Sequence, residues 1–294
     1  MFLNFESGYC ETAEGKIFYR IGGKGPPILL LHGYPQNHFM WYRTAPELAK
    51  NFTVIVADLR GYGLSLSPKG DENHYNYSKR VMATDMKNLM SYLGFQNYFL
   101  VGHDRGGRVA HRLARDNRDS VLGLMVLDIC PTLDMYESTN MQFAKAYFHW
   151  FFLIQKVGIP EKLIEANPEF WLRNCLNKWC TGHDFAEVEA EYIKTFIKPE
   201  KIHGSCEDYR AGATVDLEHD KNDRHHKLNI PIHVLWGNQG IIGTFYNPLK
   251  IWKKYTSANV TGHGLNCGHF IPEERAQEVI VEVNSFFHQI PAKC

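Results

Sequence analysis

No run of apolar residues in this chain is long enough to span a membrane. The best stretch, Ala146 to Ile154, is short and carries His149. The N-terminus, MFLNFESGYCETAEG, has neither the basic start nor the apolar centre of a secretory signal, so a cytoplasmic location is expected. Excess charge of either sign is also missing. Lysine plus arginine and aspartate plus glutamate number 32 each, which leaves nothing to attract nucleic acid or an anionic membrane in bulk. The seven cysteines include no Cys-x-x-Cys pair, and an odd, scattered set fits reduced thiols better than a disulfide framework. No internal repeat is visible. What remains is ordinary: 44% hydrophobic and 22% charged residues over 294 positions, enough for one large or two modest domains with a sizeable core.

The strand signals are short and β-branched or apolar. Lys16 to Ile21 and Pro27 to His32 flank a glycine-rich turn, and Thr53 to Asp58, Asn97 to Val101, Val121 to Leu127 and Ile230 to Trp236 follow, with a shorter segment near Ala258 to Gly262. Helical patterns over Ser78 to Leu93, Arg105 to Asn117 and Pro272 to His288 alternate with them. That order predicts a doubly wound, mostly parallel α/β sheet. From about Pro131 to about Tyr209 no convincing strand appears and aromatics are frequent. This predicts a helical cap inserted between the strands Val121 to Leu127 and Ile230 to Trp236, dividing the chain into core residues 1–130, cap residues 131–212 and core residues 213–294. Asp216 to Lys227 (DLEHDKNDRHHK) reads as a solvated connection. Its adjacent His225 and His226 point apart and are not expected to hold a metal.

One turn carries the chemistry. Asn97 to Ala110 reads NYFLVGHDRGGRVA, a strand followed by Gly102-His103-Asp104-Arg105-Gly106 and a helix, which is the nucleophile-elbow pattern with aspartate at its centre. A carboxylate that displaces a leaving group from saturated carbon forms an ester that activated water can open. A serine would form an ether, a dead end. Activating that water needs a base, and His269, in Asn266-Cys267-Gly268-His269-Phe270 before the final helix, has the position for it among 15 histidines. His263 is the nearest competitor. The histidine needs an orienting acid. The loop after the strand Ile230 to Trp236, up to Gly243, contains none, whereas Asp128 closes the apolar strand Val121 to Leu127. Backbone N–H groups of Tyr34, in His32-Gly33-Tyr34-Pro35, and of Arg105 are placed to form an oxyanion hole.

Arg105 and Arg108 lie three apart at a helix start, where cations oppose the macrodipole unless an anion is present. Their guanidinium forks suit a substrate carboxylate next to the reacting carbon. Arg112 and Arg115, further along, read as solvent-facing. In the cap, Tyr147 to Phe152 (YFHWFF) is a dense aromatic run. His149, Trp150 and the hydroxyl of Tyr209 could converge on a departing halide, although spacing alone favours simple packing.

With these residues in place, the chain resembles the haloacetate (fluoroacetate) dehalogenases of the α/β-hydrolase fold. The likeness runs over nearly the whole sequence and is dense in HGYPQN, ADLRGYG, VGHDRGGRVAHR, LDICPT, AYFHWFF, IHGSCEDYRAG and CGHF. The resemblance implies Asp104 as nucleophile, His269 as base and Asp128 as its acid. It also implies Arg105 and Arg108 as carboxylate ligands, His149, Trp150 and Tyr209 as halide donors, and Trp179 near the pocket. It further implies an α/β-hydrolase core with an inserted helical cap, a homodimer, no cofactor or metal, and a small haloacid as the partner rather than nucleic acid or membrane. Two alternatives stand beside it. An epoxide hydrolase or haloalkane dehalogenase would want an apolar residue after the nucleophile, where Arg105 stands. A carboxylate-sensing receptor would need a broken triad.

Overall fold

The computed structural model describes residues 1–291. Its strands are β1 (Glu6–Thr12), β2 (Gly15–Gly22), β3 (Pro27–Leu31), β4 (Thr53–Ala57), β5 (Tyr98–His103), β6 (Val121–Leu127), β7 (Ile232–Gly237) and β8 (Val260–Leu265). They form one sheet in the order β1-β2-β4-β3-β5-β6-β7-β8. The two pairings that involve β2 are antiparallel, and every pairing from β4 to β8 is parallel. Helices cover both faces of the parallel part, so β5 and β6 are buried at every position and read as unbroken apolar runs. The apolar side chains of the sheet and its helices make one continuous core. β1 lies at the sheet edge with Cys10 as its only fully buried residue, which explains why no alternation marks it in the sequence.

Between β6 and β7 the chain forms helices only, eight of them from Thr132–Glu137 to Val215–Asn222. This is the expected helical insertion. The final helix is not continuous: Ile271–Glu274 and Ala276–His288 meet at Arg275, which leaves helical geometry at φ −136 and ψ 46. Among the described residues no helix is long and apolar enough to cross a membrane.

Two expectations fail together. The segment 216–227 is not wholly a solvated connection, because Val215–Asn222 is a helix and Asp216 is buried, accepting from the Lys79 N–H at 2.8 Å. Arg112 and Arg115 are not solvent-facing either; only 5% and 6% of their surfaces are exposed. The reason is shared. The acidic face of the 215–222 helix and the residue after it cover the arginine row, with Asp223 2.7 Å from Arg112 and Asp220 3.8 Å from Arg115. A charge run reads as solvated until its countercharges come from a distant segment. His225 and His226 themselves are exposed, as expected.

Candidate active site

The carboxyl ends of β3, β5, β6 and β8 converge, as ligand sites do in open α/β sheets. β5 ends at His103, and Asp104 opens the helix Asp104–Asp116 with a positive φ of 45°, a strained conformation for a residue that is not glycine. Two glycines allow the close approach. A Cβ on Gly106 would sit 2.3 Å from the His32 carbonyl oxygen, and one on Gly33 would sit 2.5 Å from the Asp104 Cβ. The elbow can press against the β3 loop only if both stay bare.

Asp104, Asp128 and His269 are brought together. The His269 Nδ1 lies 2.6 Å from Asp128 Oδ2, and the other Asp128 oxygen accepts from the Gly237 N–H at 2.9 Å. Each Asp128 oxygen thus meets a donor, so the side chain keeps its hydrogen bonds despite being 1% exposed. Its own φ of 53° turns the carboxylate from the end of β6 toward the histidine. With Nδ1 thus donating, His269 turns Nε2 toward Asp104 Oδ2 at 4.0 Å, too far for a hydrogen bond. The other Asp104 oxygen accepts from the Tyr34 N–H at 3.0 Å. The Arg105 N–H lies in the first helical turn, where no intrahelical acceptor exists. His263, the competing base, sits half-exposed on β8, 3.8 Å from Glu282, away from this cluster.

The electrostatics separate Asp104 from His269. Burial pushes the Asp104 carboxyl up, but His269, Arg108, His103 and Arg105 outweigh it and hold the group down at about 2. For His269 burial lowers the pKa, and the hydrogen bond and charge of Asp128, with Asp104 behind them, raise it above its ordinary value. His149 is held well below the usual histidine range, first by burial, so its ring is neutral.

The arginines are more occupied than the sequence suggests. Arg105 donates through Nε and Nη2 to the Asp208 carboxylate at 2.8 and 2.9 Å and through Nη2 to the Asp208 carbonyl at 2.8 Å, and its guanidinium stacks 4.2 Å over the Tyr209 ring. Asp208 also accepts from Tyr62 at 2.7 Å and pairs with Lys79. Sequence reasoning missed Asp208. The signal was the helix-start cation itself, which called for an anion and received a protein one from the cap. Arg108 differs. It donates to the Cys130 carbonyl at 3.0 Å and the Thr132 hydroxyl at 2.9 Å, its Nη2 meets only the Met135 sulfur at 3.3 Å, and its Nε has no partner among the described residues. No carboxylate among the described residues lies within ion-pair distance of Arg108, although it is only 4% exposed. Burial and Arg105 push its pKa down.

Above Asp104 the cap contributes an aromatic wall. His149 packs 4.4 Å from Trp179 and 5.7 Å from Tyr209, ring centre to ring centre, and Trp150 lies 6.4 Å from Tyr209 and stacks under Arg108 at 4.8 Å. His149 Nδ1 and Trp179 Nε1 are buried without hydrogen-bond partners among the described residues. Orphaned donors in native proteins call for an explanation. The ring of Tyr34, not only its backbone, completes the wall, 5.3 Å from Tyr209, its hydroxyl accepting from Trp171 at 2.6 Å. A cavity of about 160 Å³, bounded by Tyr147, Lys178, Trp179, Gly240, Ile241 and His269, leads to this wall.

The alpha/beta hydrolase fold family matches residues 26–276. A fluoroacetate dehalogenase from Burkholderia sp is 44% identical over 98% of this chain and 98% of its own length. A soluble epoxide hydrolase from Corynebacterium sp. (strain C12) is 36% identical over 92% of this chain and 93% of its own. Among solved structures, an alpha/beta hydrolase from Nostoc sp PCC 7120 superposes with a TM-score of 0.95 at 52% identity, covering 98% of this chain and 99% of that one.

Proposed function

The chain belongs to the haloacetate dehalogenase family of the α/β-hydrolase fold, and from that premise we propose that it hydrolyses short 2-haloacids to the 2-hydroxy acid and halide through an ester on Asp104. The observation that carries this is Arg108, a buried guanidinium beside the nucleophile with no carboxylate partner among the described residues. Leaving a buried charge uncompensated is costly, and a small anionic substrate compensates it. The substrate carboxylate takes the free donors of Arg108 and the Nη1 of Arg105, which Asp208 leaves unused.

In this reading the two Asp104 oxygens take different tasks. Oδ1 is held by the Tyr34 N–H, so Oδ2 attacks the halogen-bearing carbon. The carbon–halogen bond breaks as the carbon–oxygen bond forms, and halide leaves toward the neutral donors His149, Trp150 and Tyr209 in a wall that excludes water. Esterification then removes the Asp104 charge that helps keep His269 protonated. The histidine becomes a better base at the step that needs one. It takes a proton from water, the hydroxide adds to the Asp104 carbonyl carbon, and the oxyanion grows on Oδ1 between the Tyr34 and Arg105 N–H groups. Collapse breaks the carbonyl carbon–Oδ2 bond, the proton on His269 passes to the leaving Oδ2, and the 2-hydroxy acid departs. Asp104 is left carrying one oxygen from water.

A second reading has one specific support: Tyr147 and Tyr209 are both buried cap tyrosines, and a tyrosine pair could hold an epoxide oxygen. Free-halide assays on haloacetates beside neutral haloalkanes and epoxides separate the two. A single turnover of haloacetate in ¹⁸O-water is expected to place label in the peptide containing Asp104, and Asp104→Ala to abolish halide release. Halide release that survives in Asp104→Ala, or label found only in the product, would reject the ester route.

A further inference from the structure

His263, excluded from the triad, belongs to another cluster. His233 on β7 is paired in register with Thr261 on β8, and His263 lies two residues beyond Thr261, hence on the same sheet face. Glu282 reaches that face from the helix Ala276–His288. One ligand atom from each of His233, His263 and Glu282 lies within 4.8 Å of the other two. His233 Nε2 is 3.1 Å from Glu282 Oε2, and His263 Nε2 is 3.8 Å from Glu282 Oε1.

These contacts are poorly explained as hydrogen bonds. His233 is 6% exposed, yet its Nε2, despite the 3.1 Å approach, is not aligned to bond Glu282 and has no other partner among the described residues. Its other nitrogen, Nδ1, is 2.8 Å from the Thr261 hydroxyl. If Nδ1 carries the proton and donates to Thr261, Nε2 presents a bare lone pair, the arrangement that outer partners impose on metal-binding histidines. Burial, with the neighbouring His263, holds the His233 ring down at about 4, so it is uncharged at neutral pH. Two ligand atoms of a tetrahedral zinc ion, each bonded at about 2.0–2.1 Å, lie about 3.3 Å apart. The two observed separations bracket that value.

We propose that His233, His263 and Glu282 bind one divalent transition-metal cation of the zinc class, with water completing its shell. The ion would tie the edge strand β8 to β7 and to the C-terminal helix, apart from the catalytic cluster and independent of the reaction assigned there. The other cluster of possible ligands among the described residues, Glu161, His203 and Glu207, does not fit a cation. Arg210 Nη1 already lies 2.7 Å from both of its carboxylates, and His203 Nε2 accepts from the Gly70 N–H at 3.3 Å.

The test is calorimetric titration of the full chain, dialysed against chelator, with Zn²⁺ alone, read beside thermal melts. One equivalent should bind at micromolar affinity or tighter and raise the melting temperature. His263→Ala and Glu282→Gln, both at partly exposed positions, should lose both effects, and Thr261→Val should weaken binding about tenfold. Halide release from haloacetate should be unchanged in all three variants. Absence of saturable binding to the parent chain overturns the proposal, and so does affinity that survives in His263→Ala or Glu282→Gln.

Discussion

Asp104 and His269 meet opposite demands within 4.0 Å of each other. The carboxyl, held at about 2, is ionised at any working pH, whereas the imidazole is pushed up by its two carboxylate neighbours and, in its proposed role as base, must shed its proton. The two half-reactions should therefore respond differently to acid. Single-turnover halide release, which needs only ionised Asp104, is expected to stay flat as pH falls from 8 to about 4, while steady-state turnover declines with protonation of His269. Rapid-quench halide measurement across that range checks it, and a burst that fades in parallel with turnover would contradict the assignment. Asp208 works through Arg105. In Asp208→Asn the buried Arg105 loses its anion and the buried Lys79 keeps only Asp216, at 3.5 Å. Loss of stability on the order of 3 kcal/mol is expected from chemical denaturation. The KM for haloacetate should also rise about tenfold or more, with kcat affected less, because Arg105 is no longer aimed.

At the scale of elements, the parts that were legible are those whose signal is local. The buried parallel strands announce themselves as apolar β-branched runs, and the elbow is marked by glycines that the packing demands. Asp128 was readable because an acid ending a strand such as VLGLMVL has few reasons to be there. What stayed hidden depends on distant partners. β1 has one buried side chain and so no pattern, and the arginine row at 112 and 115 looks solvated until residues 216–223 fold over it. Asp208 was passed over for Tyr209 beside it, because no local rule distinguishes an acid that neutralises a core arginine from one that faces water. The elbow gives this scale its prediction. Alanine raises helix propensity at an ordinary helical glycine by roughly 1 kcal/mol. At Gly106 the added Cβ would lie 2.3 Å from the His32 carbonyl, so Gly106→Ala should instead lower stability by about 3 kcal/mol and pull Tyr34 away from Asp104. A soluble Gly106→Ala protein with undiminished melting temperature and activity would show the loop and elbow to be less tightly apposed.

The whole molecule depends on a seam between cap and sheet, and one buried acid sits in it. Glu273, in the turn of helix after His269, accepts from Gln36 Nε2 at 2.5 Å on the β3 side and from the Tyr192 hydroxyl at 2.7 Å on the cap side. Burial pushes its pKa from 4.5 to about 8, although both donors pull it down. The folded state therefore keeps a proton that the unfolded chain releases. That preference supports the fold fully below pH 4.5 and is withdrawn as pH rises toward about 8, by about 1.4 kcal/mol per pH unit. Glutamine at this position has no charge to bury. Its carbonyl can accept from Tyr192, and its amide can donate to Gln36 Oε1, which is buried without a partner among the described residues, once the Gln36 amide turns over. Glu273→Gln should consequently melt close to the parent at pH 4.5, melt progressively higher than it toward pH 8, and hold a constant lead above that. Thermal melts of the two proteins across this range decide the matter. Parallel curves would mean that the seam carries an ionised Glu273 at neutral pH and that its cohesion comes from the two donors alone.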